Sequence, residues 1–287
     1  MRPRRFSATQ LDTLLHDPYA IYARRILNLE ALPALAEPLG AADRGTLIHQ
    51  IFCTFIETYP SGDLPEDARD QLIKIGKDAF KEFDHNLSVM TFWWQRFVHM
   101  ADWFITHEET WRVKLRHSYA EIKGKTAIST SMGEITLTAT ADRIDITEDG
   151  HVRIVDYKTG GAPERKKVQE GRALQLRVEA LLMGMGSYSD ITDDDLAEDN
   201  LIEDLQYWKI TGKRGAAGEV KIVTPKDEDI VARSLEGITA LLEGFANPEQ
   251  GYPSEPLAKE SNPYSDYKHL ARVREWSALN DDAFYDD

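Results

Sequence analysis

A single α/β domain with a helical N-terminal subregion is the fold class this chain predicts, and three observations predict it. Apolar residues recur at helical spacing through most of the first 112 positions. Three period-two segments separated by glycine-bearing turns follow, at 118–130, 134–146 and 151–158. Helical and strand-like segments then alternate to about residue 245 without repeats or a low-complexity linker. The corresponding division is one domain over 1–287, with 1–115 mainly helical, 116–225 the α/β core, and 226–287 a helix and tail.

Each element has a local cause. Ser7 with Gln10 three residues on caps a helix carrying Leu11, Leu14 and Ile21, which Pro18 divides near Asp17. After an Ala/Pro/Gly-rich loop at 31–42, Leu47, Ile48, Ile51, Phe52, Phe55 and Ile56 mark a helix from Asp43 to about Tyr59. Helices follow at about 66–85 and 89–112. The second is dense in aromatics (Phe92, Trp93, Trp94, Phe97, Trp103, Phe104, Trp111), whose spacing reads as a core face or as a platform for stacked bases. Beyond the three strands, a helix is expected at 169–186, strands at 204–211 and 218–223, a long helix at 226–245 and a short one near 266–278.

Composition narrows the classes of function. The chain has 287 residues, 42% hydrophobic and 29% charged, and no apolar run near the ~18 residues of a membrane span. There is no secretory leader pattern, and Cys53 is the one cysteine, so a cytoplasmic protein without internal disulfides is expected. The formal charge of −15 opposes non-specific attraction to nucleic acid, although base collects at Arg165, Lys166, Lys167 and Arg172 and at Lys209, Lys213 and Arg214. Acid collects at 193–204 and in Asp281, Asp282, Asp286 and Asp287.

The most informative stretch is Ile154-Val155-Asp156-Tyr157-Lys158. Alternation puts Asp156 and Lys158 on one face of a strand. A hairpin symmetric about Asp149 sets Asp142 opposite Asp156, on the face that also carries Ile144, Ile146, Val152 and Ile154. Arg143 and Asp145 point the other way, and Asp145 reads as a surface or salt-bridge residue. Two carboxylates in such proximity repel unless a proton or cation lies between them. Hard oxygen ligands suit Mg²⁺ or Mn²⁺, which would polarise a phosphodiester and acidify a water, with Lys158 assisting. A glycosidase pair, which has no use for the lysine, and a plain structural Asp–Lys salt bridge stay open on spacing alone. His49 shares a helix face with Phe52, Cys53 and Ile56, a position that suits a packed histidine or a ligand. Gln175 and Glu179, one turn apart, read as a solvated pair, and Glu121 at a strand start says nothing alone.

An ordered set of motifs goes further. The segment from Ser7 through Asp17-Pro18 to Ala23 comes first, followed by Arg44-Gly45 to His49. Ala141 to Asp145, Ile154 to Gly160, Gln175 to Glu179 and Tyr267 to Trp276 complete the order. Together these resemble the RecB-type branch of the PD-(D/E)XK nucleases, and most closely the C-terminal nuclease domain of AddB, a subunit of helicase–nuclease complexes in double-strand break repair.

The resemblance implies a restriction-endonuclease-like mixed β-sheet flanked by helices. It implies Mg²⁺ or Mn²⁺ bound by His49, Asp142, Asp156 and the Tyr157 carbonyl, with Lys158 catalytic, Gln175 the helix glutamine, and Glu121 an acid of the first motif. A single-stranded DNA end as substrate and an AddA-like helicase partner are also implied. So is the alternative of a silent DNA-binding or scaffolding module. No Gly-x-x-x-x-Gly-Lys-Ser/Thr loop occurs, which places any ATPase outside this chain. The match to a domain usually found at the end of a longer protein suggests a fragment. Two positions depart from the pattern. Asp17-Pro18 replaces the Cys-Pro that begins an iron–sulfur staple, so no such cluster is expected, and Glu179 stands where tyrosine is common.

Overall fold

The computed structural model describes residues 2–30, 32, 39–83, 85–87, 89–198, 202–225, 229–256, 265–273 and 275. The elements are β1 (Arg5–Ser7), α1 (Ala8–His16), α2 (Pro18–Arg25), α3 (Ala41–Thr58), α4 (Ala68–Phe80), α5 (Trp94–Trp111), β2 (Leu115–Thr130), β3 (Gly133–Thr147), β4 (Val152–Lys158), α6 (Arg165–Gln169), α7 (Gln175–Gly184), β5 (Ile202–Lys213), β6 (Ala216–Ile222) and α8 (Ile230–Ala246). They form the mixed α/β architecture the sequence predicts. One six-stranded sheet has the order β1-β3-β4-β5-β6, and β2 also pairs with β3. Cα proximity divides the chain into a larger unit, Glu37–Lys125 with Ala139–Ser234, and a smaller one, Met1–Ala36 with Thr126–Thr138 and Leu235–Asp287.

In the smaller unit, β1 pairs in parallel with the start of β3, Phe6 opposite Leu137. A three-residue strand is too short to show periodicity, and the sequence reading contains none there. The Ser7 hydroxyl accepts from the Gln10 N–H at 3.2 Å, and the Gln10 side chain accepts from the Ser7 N–H at 3.0 Å, a reciprocal cap. The helix breaks where expected, with Pro18 opening α2. Residues 266–272 of the expected terminal helix form turns. Trp276, Asp199 and the acidic residues at 281–287 lie outside the described residues, as do 226–228 of the expected long helix.

In the larger unit, β3 and β4 are antiparallel with Arg143 opposite Val155, Ile144 opposite Ile154, Asp145 opposite Arg153 and Ile146 opposite Val152, the register expected from symmetry about Asp149. Gly150 makes the turn possible: its φ is +80°, and a Cβ there would lie 2.5 Å from the Ala197 nitrogen. Strand β4 runs parallel to β5, and β5 antiparallel to β6. Helices α3, α4 and α5 pack their apolar stripes together with Val155, Tyr157, Trp208 and Ile210, and Phe52 stacks on Phe104 at 4.3 Å between centroids. The aromatic segment is therefore core at Phe97, Phe104 and Trp111. Phe92 is the exception, 67% exposed. The helix expected over 169–186 is shorter, as α7 from Gln175 to Gly184, and Gly171 at φ +66° separates it from the preceding short α6.

Of the two readings offered for Asp145, surface or salt-bridge residue, the second holds and the first does not, and the reading of Gln175 and Glu179 needs correction. Asp145 is in a salt bridge, with Arg143 Nε at 2.7 Å, but neither side chain touches solvent. Alternation placed them opposite Asp142 correctly, yet that opposite face is covered by α5 rather than water. Gln175 and Glu179 are not a solvated pair either. Glu179 is wholly buried, as are Leu176 through Met183 around it, since α7 lies over the sheet at β4.

Candidate active site

All the residues singled out as a site lie in the larger unit. The pairing of β3 with β4 reaches back to Arg143, and just before it the Asp142 carboxylate accepts the Tyr157 N–H at 2.8 Å, cross-bracing the two strands. The other Asp142 oxygen lies 3.2 Å from Nδ1 of His49, which α3 delivers from one turn beyond Gly45. The His49 ring meets the Tyr157 ring edge-on at 6.0 Å. Ligand atoms of His49, Glu121 and Asp142 lie within 4.8 Å of one another. Glu121 takes φ +49° within β2, a left-handed conformation costly for a residue with a Cβ and a break in the strand's regular alternation.

One step along β4, Asp156 is wholly buried, with Lys158 Nζ at 2.7 Å from its Oδ2. Gln175, first residue of α7, clamps this pair. Its carbonyl accepts from Lys158 Nζ at 2.9 Å while its amide N–H donates to Asp156 Oδ1 and, at 3.3 Å, to Glu179 Oε1. Lys158 also sits 5.7 Å from the centre of the Tyr207 ring, on the neighbouring strand β5. Glu179 Oε2 is buried without a hydrogen-bond partner among the described residues. The sequence signal for Glu179 was present, four residues after Gln175, but only the burial of α7 turns it inward.

The electrostatics are lopsided. Asp156 is pushed up to about 7, first by burial and then by Asp142, against the pull of Lys158. Glu179 is held well above the usual carboxylate range by burial and by Asp156. Glu121 is raised by burial and by Asp142. Burial works against charge on His49 and Lys158, but Asp142 and Asp156 respectively outweigh it and raise both. Asp142, Asp156, Glu121 and Glu179 thus share one lysine and one histidine. A buried orphan oxygen on Glu179 and protons retained by carboxylates fit a site built for a cation. Oxygen donors with one imidazole match Mg²⁺ or Mn²⁺. His49, Asp142 and Glu121 are close enough together to hold a cation, and Asp156 adjoins them through Asp142 and Lys158. For Tyr157, the backbone N–H braces Asp142 while its ring belongs to the core on the opposite face.

A cleft of about 550 Å³ opens on this cluster, lined by Gly45, Thr46, His49, Gln50, Cys53 and Glu121. Cys53 is free, and burial with Glu57 and Glu121 pushes its thiol up to about 12, which favours the neutral thiol. Among the described residues no helix is long and apolar enough to cross a membrane.

Comparison with known proteins adds the family. Uncharacterized proteins of Rickettsia bellii (strain RML369-C) and Rickettsia felis (strain ATCC VR-1525 / URRWXCal2) are 26% and 25% identical over 93% and 94% of this chain. The chain spans about a third of their length, 32% and 34%. A solved chain described as the crystal structure of SSO0001 aligns over 83% of this chain and 76% of its own, with TM-score 0.31 and 11% identity. Residues 5–259 match the PD-(D/E)XK nuclease superfamily. The chain belongs to that superfamily, whose members are typically metal-dependent nucleases, and its mixed sheet with flanking helices agrees with the restriction-endonuclease-like fold.

Proposed function

We propose that this member of the PD-(D/E)XK nuclease superfamily hydrolyses phosphodiester bonds of DNA as a divalent-cation-dependent exonuclease acting on single-stranded ends. The observation that carries this reading is the crowding of Asp142, Asp156 and Glu179 around Lys158, with His49 and Glu121 in reach of Asp142. His49, Asp142 and Asp156, with the Tyr157 carbonyl, would hold Mg²⁺ or Mn²⁺. When bound, the cation supplies Lewis-acid activation of the phosphodiester and acidifies water at neutral pH.

The chain's own groups divide the remaining work. Lys158 stays protonated because the negative charge shared among Asp156, Asp142 and Glu179 outweighs the burial that opposes its own charge, so it acts as a fixed positive charge facing the anionic transition state rather than as a base. Gln175 positions Lys158 and Asp156 at once. Asp142 orients His49 and is itself braced by the Tyr157 N–H. Glu121, solvent-exposed at the cleft with its affinity for protons raised, takes the proton released on attack.

At a finer level we read the chain as a RecB-type, AddB-like nuclease domain of a cytoplasmic helicase–nuclease that repairs double-strand breaks by recombination. An AddA-like subunit supplies the helicase in that reading, and no iron–sulfur cluster takes part, Cys53 being the only cysteine.

Cleavage of linear single-stranded DNA in Mg²⁺ tests the core of the proposal. Lys158→Ala should slow cleavage by about 10²–10³-fold, as expected for removal of one transition-state charge, and Asp156→Ala by at least as much. Equal rates in wild type and Asp156→Ala would sink the assignment. No cleavage by wild type, with DNA still bound, would favour a silent DNA-binding or scaffolding module.

A further inference from the structure

The larger unit carries a second cleft, at the start of α5. The turn before that helix, Val89–Trp93, is π-helical, and the extra residue per turn rotates Phe92 away from the core, leaving it 67% exposed. The β5–β6 hairpin is laid against the same helix. Gly212 has φ +62°, and a Cβ there would lie 2.3 Å from the Arg96 carbonyl oxygen, so only glycine permits the approach. His99 Nδ1 lies 3.3 Å from the Gly212 carbonyl and ties the two together. The hairpin tip consequently sets Lys213 and Arg214 beside Arg96. A groove of about 510 Å³ results, lined among others by Phe92, Gln95, Arg96, His99, Lys213 and Arg214.

Charge there is uncompensated. Among the described residues, Arg96, Lys213 and Arg214 form no ion pair with a carboxylate, in a chain whose formal charge is −15. Arg44 is close enough to Arg96 to be repelled by it, and its Nε is buried without a hydrogen-bond partner among the described residues. Arg44 directly precedes Gly45 and Thr46, which line the cleft holding His49 and Glu121. Cations left together without counter-ions favour an anion, and the run from the hairpin tip to Arg44 leads toward the candidate active site.

We propose that this groove is a binding track for single-stranded nucleic acid, in which Arg96, Lys213 and Arg214 take backbone phosphates and Phe92 stacks on a base. An exposed ring within a cationic groove is the pairing that unstacked strands recognise, whereas a duplex hides its base faces. The direction of the strand toward the site rests on the phosphodiesterase reading. The binding itself does not.

The test is fluorescence anisotropy of a labelled oligothymidylate with the full chain in EDTA, where no cleavage intervenes. Arg96→Glu/Lys213→Glu/Arg214→Glu should lower affinity at least about tenfold, and the slope of log affinity against log salt should flatten by about 2, given ~0.7 per phosphate contact on single strands. Phe92→Ala should cost roughly tenfold with the slope unchanged. The corresponding glutamine triple variant, milder for folding, should fall between wild type and the glutamate variant. A duplex of equal length and polyglutamate should compete poorly. Wild-type affinity in the triple variant, or polyglutamate competing as well as the oligonucleotide, would overturn the track, as would failure of the wild type to bind. Mg²⁺-dependent hydrolysis of bis(p-nitrophenyl) phosphate should survive in all these variants. Its absence in a wild type that still binds the oligonucleotide would count against the proposed activity and not against the track.

Discussion

Strands β3 and β4 carry ionised side chains on both faces, and the two clusters obey opposite rules. Away from the candidate site, Arg143 makes two hydrogen bonds to Glu108 at 2.6 and 2.9 Å and one to Asp145 at 2.7 Å, and Asp145 also accepts the Trp111 indole N–H at 2.6 Å. Arg112 reaches the same Glu108 at 2.8 Å and donates its remaining N–H groups to the carbonyls of Gly62 and Tyr59. Arginine and carboxylate are matched two to two, and the Arg143 guanidinium lies 5.4 Å from the centre of the Trp208 ring. On the site face, carboxylates outnumber cations, Glu179 keeps an orphan oxygen, and Asp156 holds its proton to about 7. A buried polar cluster that is complete serves the fold, and one left short of positive charge is set to receive it.

The largest effect should come from breaking the complete cluster. Arg143→Met leaves Glu108 and Asp145 buried without their main partner, and should destabilise the fold by roughly 3–5 kcal/mol in chemical denaturation. Cation binding should change only through lost structure. A change under about 1 kcal/mol would mean that the two clusters do not differ as described.

The reverse is expected across the sheet. Glu179→Gln removes the cost of keeping a buried carboxyl protonated and keeps the shape, so without metal it should stabilise the protein, by about 1–2 kcal/mol. The same variant should weaken Mg²⁺ binding in isothermal calorimetry. Destabilisation in EDTA together with unchanged Mg²⁺ affinity would assign Glu179 to the fold instead.

The smallest effect is a dependence on pH. Asp156 has a higher proton affinity folded than unfolded, where an aspartate titrates near its ordinary 3.8. Its proton therefore contributes stability that is fully present below that value and is lost as pH rises through about 7. In EDTA, the melting temperature should fall between pH 5 and pH 8, by about 2 °C for each kcal/mol lost. Added Mg²⁺ should offset the fall, and its affinity should rise over the same interval as the carboxylates ionise. Across the sheet, Asp145 and Glu108 outweigh burial and hold Arg143 above its ordinary range, so it stays charged throughout. A melting temperature insensitive to Mg²⁺ at pH 8 would remove the distinction between the faces.

Much of this was legible from residues alone. Hydrophobic period, the Ser7 cap, Pro18 and the turn at 148–150 fix local geometry, so α1, α2, α3 and the β3–β4 register follow from short-range chemistry. That register puts Asp142 near Asp156 and Lys158 in any fold that keeps the hairpin, and the motif order supplied His49, Gln175 and Glu121. What a residue's neighbours in sequence cannot specify is what covers each face. Period two told Arg143 from Asp142, but only the packing of α5 decided that Arg143 and Asp145 lie in the core rather than in water. The same spacing that reads as a solvated Gln175–Glu179 pair became part of a buried site once α7 closed over β4. Burial is set by distant segments that remove water, and removing water is what turns an ordinary carboxylate into one that keeps its proton or waits for a cation.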